Sequence, residues 1–419
     1  MEYSYLISLA IILLSTKVLG LATKKVKLPQ VVGALLAGLL LGPACTGIIT
    51  STHFLGEVSE IGVIVLMFVA GLETDVAELK KTGKASFVIA LFGVLVPLGG
   101  GFLLAHIFNE GDASLATSTF LQNMFIGIIM TATSVSITVE TLKELGKLST
   151  KAGNAILGAA LIDDILGIIA LTIITSAASS NVNIVVVLMK IVAFFVVGSV
   201  ISIIFHILFK KWVENSEMDL RRFVVISFTF CLIMAYSAEE FFGVADITGA
   251  FIAGLAISGT KRIHYITSRF ETLSYMLLSP VFFASIGLKV ELPSMTGRIL
   301  VFAILLVMVA LLSKVIGCGI GAKVCHYKKD ECIQIGVGMI SRGEVALIVA
   351  NKGTTVGLMS KALFGPIVIM VIITTIITPI LLKIVFKDKQ DQETHNSELI
   401  DKYNRPDLLD KQEQRHMPE

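Results

Sequence analysis

Apolar runs long enough to cross a lipid bilayer follow one another along almost the whole chain. They lie near residues 4–22, 30–48, 57–76, 85–108, 119–142, 152–177, 184–209, 223–239, 241–258, 270–288, 299–322, 331–351 and 362–386. A hydrocarbon core about 30 Å thick takes roughly 20 apolar residues per helical crossing, and only helices or closed barrels satisfy their backbone groups inside it. The sequence is therefore read as an all-α polytopic membrane protein with thirteen transmembrane helices. Of its 419 residues 55% are hydrophobic and only 16% charged, which excludes an ordinary soluble domain. The first run lacks a basic start and a small-residue cleavage site, so it reads as a retained span rather than a signal peptide. Five cysteines (Cys45, Cys231, Cys318, Cys325, Cys332) show no metal-ligand spacing and are odd in number, and they read as packing residues. No cofactor and no nucleic-acid partner is expected.

Basic residues fix an orientation, because Lys and Arg are retained on the cytoplasmic side of membranes. Loops after the odd-numbered spans hold Lys24, Lys25 and Lys27; Lys80, Lys81 and Lys84; Lys143, Lys147 and Lys151; Lys210, Lys211, Arg221 and Arg222; Lys261, Arg262 and Arg269; and Lys323, Lys328 and Lys329. The intervening loops hold only Lys289, Arg298, Lys352 and Lys361. The amino terminus is thus expected outside the cell membrane and the carboxyl terminus in the cytoplasm.

An internal repeat narrows the architecture. "VVGALLAGL" at 31–39 recurs as "ITGAFIAGL" at 247–255, a shift of 216, and the same shift carries Gly71 and Leu72 onto Gly287 and Leu288. "GIIM" at 127–130 matches "GVGM" at 336–339 with a shift of 209. These matches displace the chain by seven spans, an odd number, so the two copies face opposite ways. Inverted-topology repeats belong to secondary transporters, whose ion sites lie near the midplane at the repeat interface. Small-residue helix-packing patterns also recur by chance, but three in register argue against that.

Charged groups at membrane depth are costly and default to functional roles. "LIDDILGII" at 161–169 sets Asp163 and Asp164 side by side in span six, while Lys314 lies in span eleven and Arg342 and Glu344 in span twelve. Neighbours on a helix point about 100° apart, so one acid is free to meet a protein cation while the other meets a cation from solution. Lys314 is the natural protein partner for Asp163. Carboxylate and hydroxyl oxygens suit a hard cation, and no Cys or His cluster offers a transition-metal site. Lys17 and Lys190 read as snorkelling or locally paired. Two further stretches, "MTATSVSITV" (130–139, with Thr131, Thr133 and Ser134) and "GVGMISRGEVAL" (336–347), have the hydroxyls and glycines of interrupted helices. Hydroxyls bonding back to their own helix remain an alternative for the first.

The segments "TATSVSITVETLKELGKLST", "ILGAALIDDILGIIAL", "SKVIGCGIGAK" and "GMISRGEVALIVA", in this order and spacing, resemble bacterial sodium/proton antiporters of the monovalent cation:proton antiporter-2 family, the NapA-type and GerN-like branch. The resemblance spans residues 1–386. It implies the NhaA-like antiporter fold, with two crossed discontinuous helices, and a homodimer in the lipid bilayer. It implies a dimerisation scaffold from 1–83 and 211–296, a linker helix at 181–210 and an ion-translocating core from 84–180 and 297–386. It implies that Asp164 binds sodium or a proton, that Asp163 alternates between the Lys314 salt bridge and a protonated state, and that Thr133 and Ser134 lie at the unwound crossing with Thr131, Arg342 and Glu344. Asp164, Asp163 and Thr133 would then ligate sodium. With both acids and the lysine present, electrogenic sodium or lithium exchange for protons by alternating access is expected.

Other readings remain. Oxygen ligands alone do not exclude potassium/proton exchange, and a cation channel or sensor could use the same scaffold. An intramembrane aspartyl protease would need its acids on separate helices, whereas these two are adjacent. The reading is of a transporter, not an enzyme. Residues 387–419 are highly charged and are expected to be a disordered cytoplasmic tail.

Overall fold

A computed structural model describes residues 4–25, 28–74, 76–108, 117–178, 184–215, 220–290, 297–355 and 357–387. The expected disordered tail therefore lies, from residue 388 onward, outside the described residues. Among those described the regular structure is helical. In chain order the helices are α1 (Ser4–Lys25), α2 (Gln30–Leu41), α3 (His53–Glu73), α4 (Val76–Phe108), α5 (Thr119–Ile129), α6 (Val135–Glu144), α7 (Lys151–Ala178) and α8 (Ile184–Asn215). They continue as α9 (Leu220–Phe242), α10 (Asp246–Ile257), α11 (Ile263–Leu273), α12 (Ser279–Leu288), α13 (Gly297–Val324), α14 (Lys329–Gly338), α15 (Glu344–Thr355) and α16 (Phe364–Val385). A π-helical turn, Ser274–Leu278, joins α11 to α12.

Nine helical stretches among the described residues are long and apolar enough to cross a membrane, and the chain is a multi-pass membrane protein. Gln30–Leu41, Thr119–Ile129 and Asp246–Ile257 are apolar but shorter. Large aliphatic side chains stand exposed on α1 and α8, among them Leu14, Val192 and Ile207, as suits helices whose surrounding solvent is lipid rather than water.

Without a hydrophobic drive between helices in lipid, close backbone approach at small residues holds such bundles together. The repeat glycines do this here. A Cβ at Gly38 of α2 would overlap the Ala284 carbonyl of α12, and one at Gly287 would overlap the Leu39 amide of α2. A Cβ at Gly71 of α3 would overlap the Phe251 carbonyl of α10, and one at Gly254 would overlap the Phe68 carbonyl of α3. The 216-residue shift turns Gly38 into Gly254 and Gly71 into Gly287, so one contact occurs twice. Likewise a Cβ at Gly127 would come within 2.5 Å of the Leu98 carbonyl of α4, and one at Gly336 within 2.7 Å of the Val315 carbonyl of α13. Helices α4 and α13 themselves pack extensively on each other, and α7 lies against α4. The acids of α7 and the lysine of α13 are thereby held on either side of α4.

Candidate functional site

Asp163 and Asp164 lie midway along α7 and diverge around it. Asp163 turns into the protein. Lys314 donates to its Oδ1 at 2.8 Å and its Oδ2 at 3.0 Å, and both side chains are 0% exposed. Gly93 of α4 makes room for the pair: a Cβ there would lie 3.7 Å from both Asp163 Oδ1 and Lys314 Nζ, and 2.6 Å from Cys318 Sγ. A buried ion pair of this kind recovers through mutual attraction roughly what desolvation takes away. It is therefore better suited to being switched than to adding stability.

Asp164 turns elsewhere. The residue is only half-buried, yet its Oδ2 is shielded from solvent and has no hydrogen-bond partner. A buried polar atom left unpaired costs about 1–3 kcal/mol. Such an oxygen fits a seat for a hard cation or for a proton. Three residues on, Gly167 borders open space.

Two helix interruptions meet near this point in the fold. The Thr131 hydroxyl bonds back to Ile128 O at 2.8 Å and closes the end of α5, while Thr133 Oγ1 donates to Thr131 O at 3.4 Å. Hydroxyl side chains thus compete for backbone groups that would otherwise continue the helix. Chain resumes as α6 at Val135. On the other side, α14 ends at Gly338 and α15 begins at Glu344. Ser134 N–H donates to Ser341 O at 2.8 Å, and the Ser341 hydroxyl returns a bond to Ser134 O at 2.8 Å. The Thr138 hydroxyl donates to Gly338 O at 2.8 Å and lies 2.9 Å from Ser341 Oγ. Contact is close enough that a Cβ at Gly343 would meet Ser134 Oγ at 2.7 Å.

Each bond satisfies a backbone group that an interrupted helix leaves without a partner. Arg342 supplies the charge. Fully buried, it donates from Nη1 to Ile340 O at 2.9 Å and from Nη2 to Ala310 O at 3.4 Å. A cation here complements the negative end of the α14 dipole. Its own carbonyl accepts from the Thr375 hydroxyl of α16.

The structure thus joins Asp163 to Lys314, and joins the Ser134 interruption to the segment carrying Arg342. Among the described residues no hydrogen bond links Asp164 to Thr131, Thr133 or Ser134. Glu344 opens α15, but its side chain lies outside the described residues. Lys17 has its ammonium 4.2 Å above the Tyr275 ring, and Lys190 is exposed on α8. Sequence reasoning missed Thr138, Ser341, Thr375 and Gly93. The only signal for the first two was their place inside the hydroxyl-rich and glycine-rich stretches, which gives no direction for a hydroxyl.

The chain is similar to known proteins along nearly its whole length. The family described as "Sodium/hydrogen exchanger, transmembrane" matches residues 9–388. The Na(+)/H(+)-K(+) antiporter GerN of Bacillus cereus is 39% identical over 396 residues, covering 93% of this chain and 98% of that protein. The Na(+)/H(+) antiporter of Enterococcus hirae is 37% identical over 386 residues, covering 90% and 96%. A solved structure of the sodium proton antiporter MjNhaP1 from Methanocaldococcus jannaschii superposes with a TM-score of 0.66 at 18% identity, covering 91% and 97% of the two chains.

Proposed function

This chain belongs to the sodium/hydrogen exchanger family, and from that premise we propose an electrogenic sodium/proton antiport cycle in which Asp164 carries the ion and Asp163 switches between Lys314 and a proton. The chain is a sodium/proton antiporter and a multi-pass membrane protein. One observation carries the site assignment: a shielded, unpartnered Asp164 oxygen beside an acid already neutralised by a buried lysine.

In the proposed cycle sodium docks on the free Asp164 oxygen, with Asp163 and the Thr133 hydroxyl completing its ligands as the neighbouring segments move. Asp163 must then leave Lys314. Protons arriving from the other side neutralise the acids and displace the cation, so competition for one site enforces exchange without a separate gate. With Lys314 charged throughout, sodium leaves two carboxylates and a proton joins each of them, so two protons enter for one sodium expelled and net charge moves. The two interruptions, held by the Ser134–Ser341 and Thr138–Gly338 bonds, form crossed discontinuous helices in a thirteen-span, inverted-repeat bundle. The duplicated glycine contacts support the repeat.

The same reading assigns residues 84–180 and 297–386 to a moving core, 1–83 and 211–296 to a dimerising scaffold, and 181–210 to a linker. It sets the amino terminus outside and the carboxyl terminus in the cytoplasm, in a homodimer of the cell membrane. Potassium is a second candidate cargo, since the Bacillus cereus relative's name includes it. Reconstitution tests the assignment: proteoliposomes with an imposed pH gradient should show sodium-dependent dequenching that Asp164→Asn abolishes. Dequenching that survives in Asp164→Asn would overturn the ion-carrier role. A sodium, lithium and potassium titration in the same vesicles ranks the cargoes.

A further inference from the structure

The carboxyl end of α6 holds a cluster of charges that the exchange chemistry does not use. Lys143 Nζ lies 3.2 Å from Glu73 Oε1 at the end of α3 and 3.1 Å from Glu271 Oε1 on α11, and the three side chains are only about a quarter to a third exposed (26%, 26% and 34%). Glu140, one turn back on α6, faces the same lysine. The next residue, Glu144, accepts the Gln30 amide on Oε1 at 2.7 Å and on Oε2 at 2.8 Å, capping the first turn of α2. Val31 of α2, Glu140 and Lys24 of α1 also face Glu144. One short helix end of the proposed core is thus fastened to three helices of the proposed scaffold.

The opposite side of the bundle is built differently. The 209-residue shift relating the two interrupted spans carries Lys143 onto Lys352, at the far end of α15. Among the described residues, helix α15 packs chiefly on α16 and α5, both within the proposed core, whereas α6 also packs on α2 and α3 of the proposed scaffold. Three residues past Asp164 on α7, a Cβ at Gly167 would meet nothing within 4 Å. Among the described residues, the two short helices of the repeat thus differ in what they pack against.

We propose that Lys143 and Glu144 form a latch between core and scaffold that shuts the cytoplasmic entrance in this structure and must release before a cytoplasmic cation reaches Asp164. This rests on the alternating-access reading above. Charge-assisted bonds are stronger than neutral ones; Lys143 makes two from a partly buried position and the exposed Glu144 accepts two from the Gln30 amide, yet four of them within one helix end can break together. Both residues lie past the end of the span at 119–142. Desolvation by the surrounding helix ends raises the Glu144 carboxyl above its usual value in spite of the Gln30 amide, although the residue keeps an exposed edge. Burial alone would lower Lys143, but Glu73, Glu271 and Glu140 together raise it.

Two variants test the latch in reconstituted full-length protein. Lys143→Gln should lower the apparent KM for sodium added on the cytoplasmic side and raise it on the outer side, each about threefold to tenfold, because it shifts the population toward the inward-open form. Equal changes on both sides, or none, overturn the latch, since a merely structural residue would not split the two faces. Should Lys143→Gln misfold, Gln30→Cys with Glu144→Cys, in an otherwise cysteine-free background, gives an independent reading. Oxidation should arrest transport and reduction restore it; undiminished transport by the cross-linked protein overturns the proposal. Asp164→Asn in parallel separates the two ideas: transport by that variant sinks the exchange mechanism, whatever the latch variants do.

Discussion

Lys314 Nζ grips both oxygens of Asp163, at 2.8 Å and 3.0 Å, in a setting that solvent does not reach. The arrangement leaves the adjacent carboxylate, Asp164, as the acid with an uncommitted buried oxygen.

Removing one partner of that pair strands a buried charge, which costs about 3–5 kcal/mol. Lys314→Ala is therefore expected to lower the Tm of the detergent-solubilised protein markedly. The neutral double variant Asp163→Asn with Lys314→Gln should recover much of the loss, because amides replace charges of similar shape. Thermal-shift measurements on the three proteins check the coupling.

Charge movement separates the two-acid cycle from a neutral one. Solid-supported membrane recording should give a reversal potential that demands more than one proton per sodium in the native protein. In Asp163→Asn with Lys314→Gln the transported charge should fall to zero if exchange continues. A native reversal potential at electroneutral balance would contradict the role given to Asp163.

The hydroxyl clasp between the interruptions should act as a unit. Ser341→Ala and Thr138→Val each remove neutral hydrogen bonds worth about 0.5–1.5 kcal/mol, and the pair should be non-additive because Thr138 Oγ1 and Ser341 Oγ are 2.9 Å apart. A double-mutant cycle on transport rate and Tm measures the coupling.

Cytoplasmic pH should act through Glu144. A carboxyl held above its usual value in the latched form binds its proton more tightly there than when released into water. As pH rises from the ordinary glutamate range through the raised value, the latched form loses relative stability and release is favoured. Lys143, raised above an already high value, stays charged throughout. Glu144→Gln keeps the neutral form at every pH, so cytoplasmic-side sodium uptake at pH 8 should drop by roughly twofold to tenfold relative to the native protein, with little change at pH 5. Stopped-flow transport at the two pH values checks it.

Some of this was legible from sequence because charge stands out against an apolar background. Asp163, Asp164, Lys314 and Arg342 needed only depth and sign to be singled out, and the repeat glycines needed only their spacing. The hydroxyls were different: Thr131 does bond back to its own helix, whereas Thr138 reaches across to Gly338, and nothing in their identities separates the two. Lys143 was hidden for another reason. Counted with the loop lysines it marked orientation, and its partners Glu73 and Glu271 lie some 70 and 130 residues away, joined only by the packing of α6 on α3 and by the nearby end of α11. Short helices such as α2 and α10 merged with their flanks in hydropathy, so the reading could place these apolar segments but not their ends.

The pH dependence of sodium affinity tests the central claim most directly. In reconstituted vesicles with equal pH on both faces, competition for one carboxylate site should raise the apparent KM for sodium about tenfold or more for each pH unit of acidification below the site's pKa, with Vmax unchanged at saturating sodium. An apparent KM that stays constant while Vmax falls would place proton and sodium at separate sites and contradict single-site exchange at Asp164.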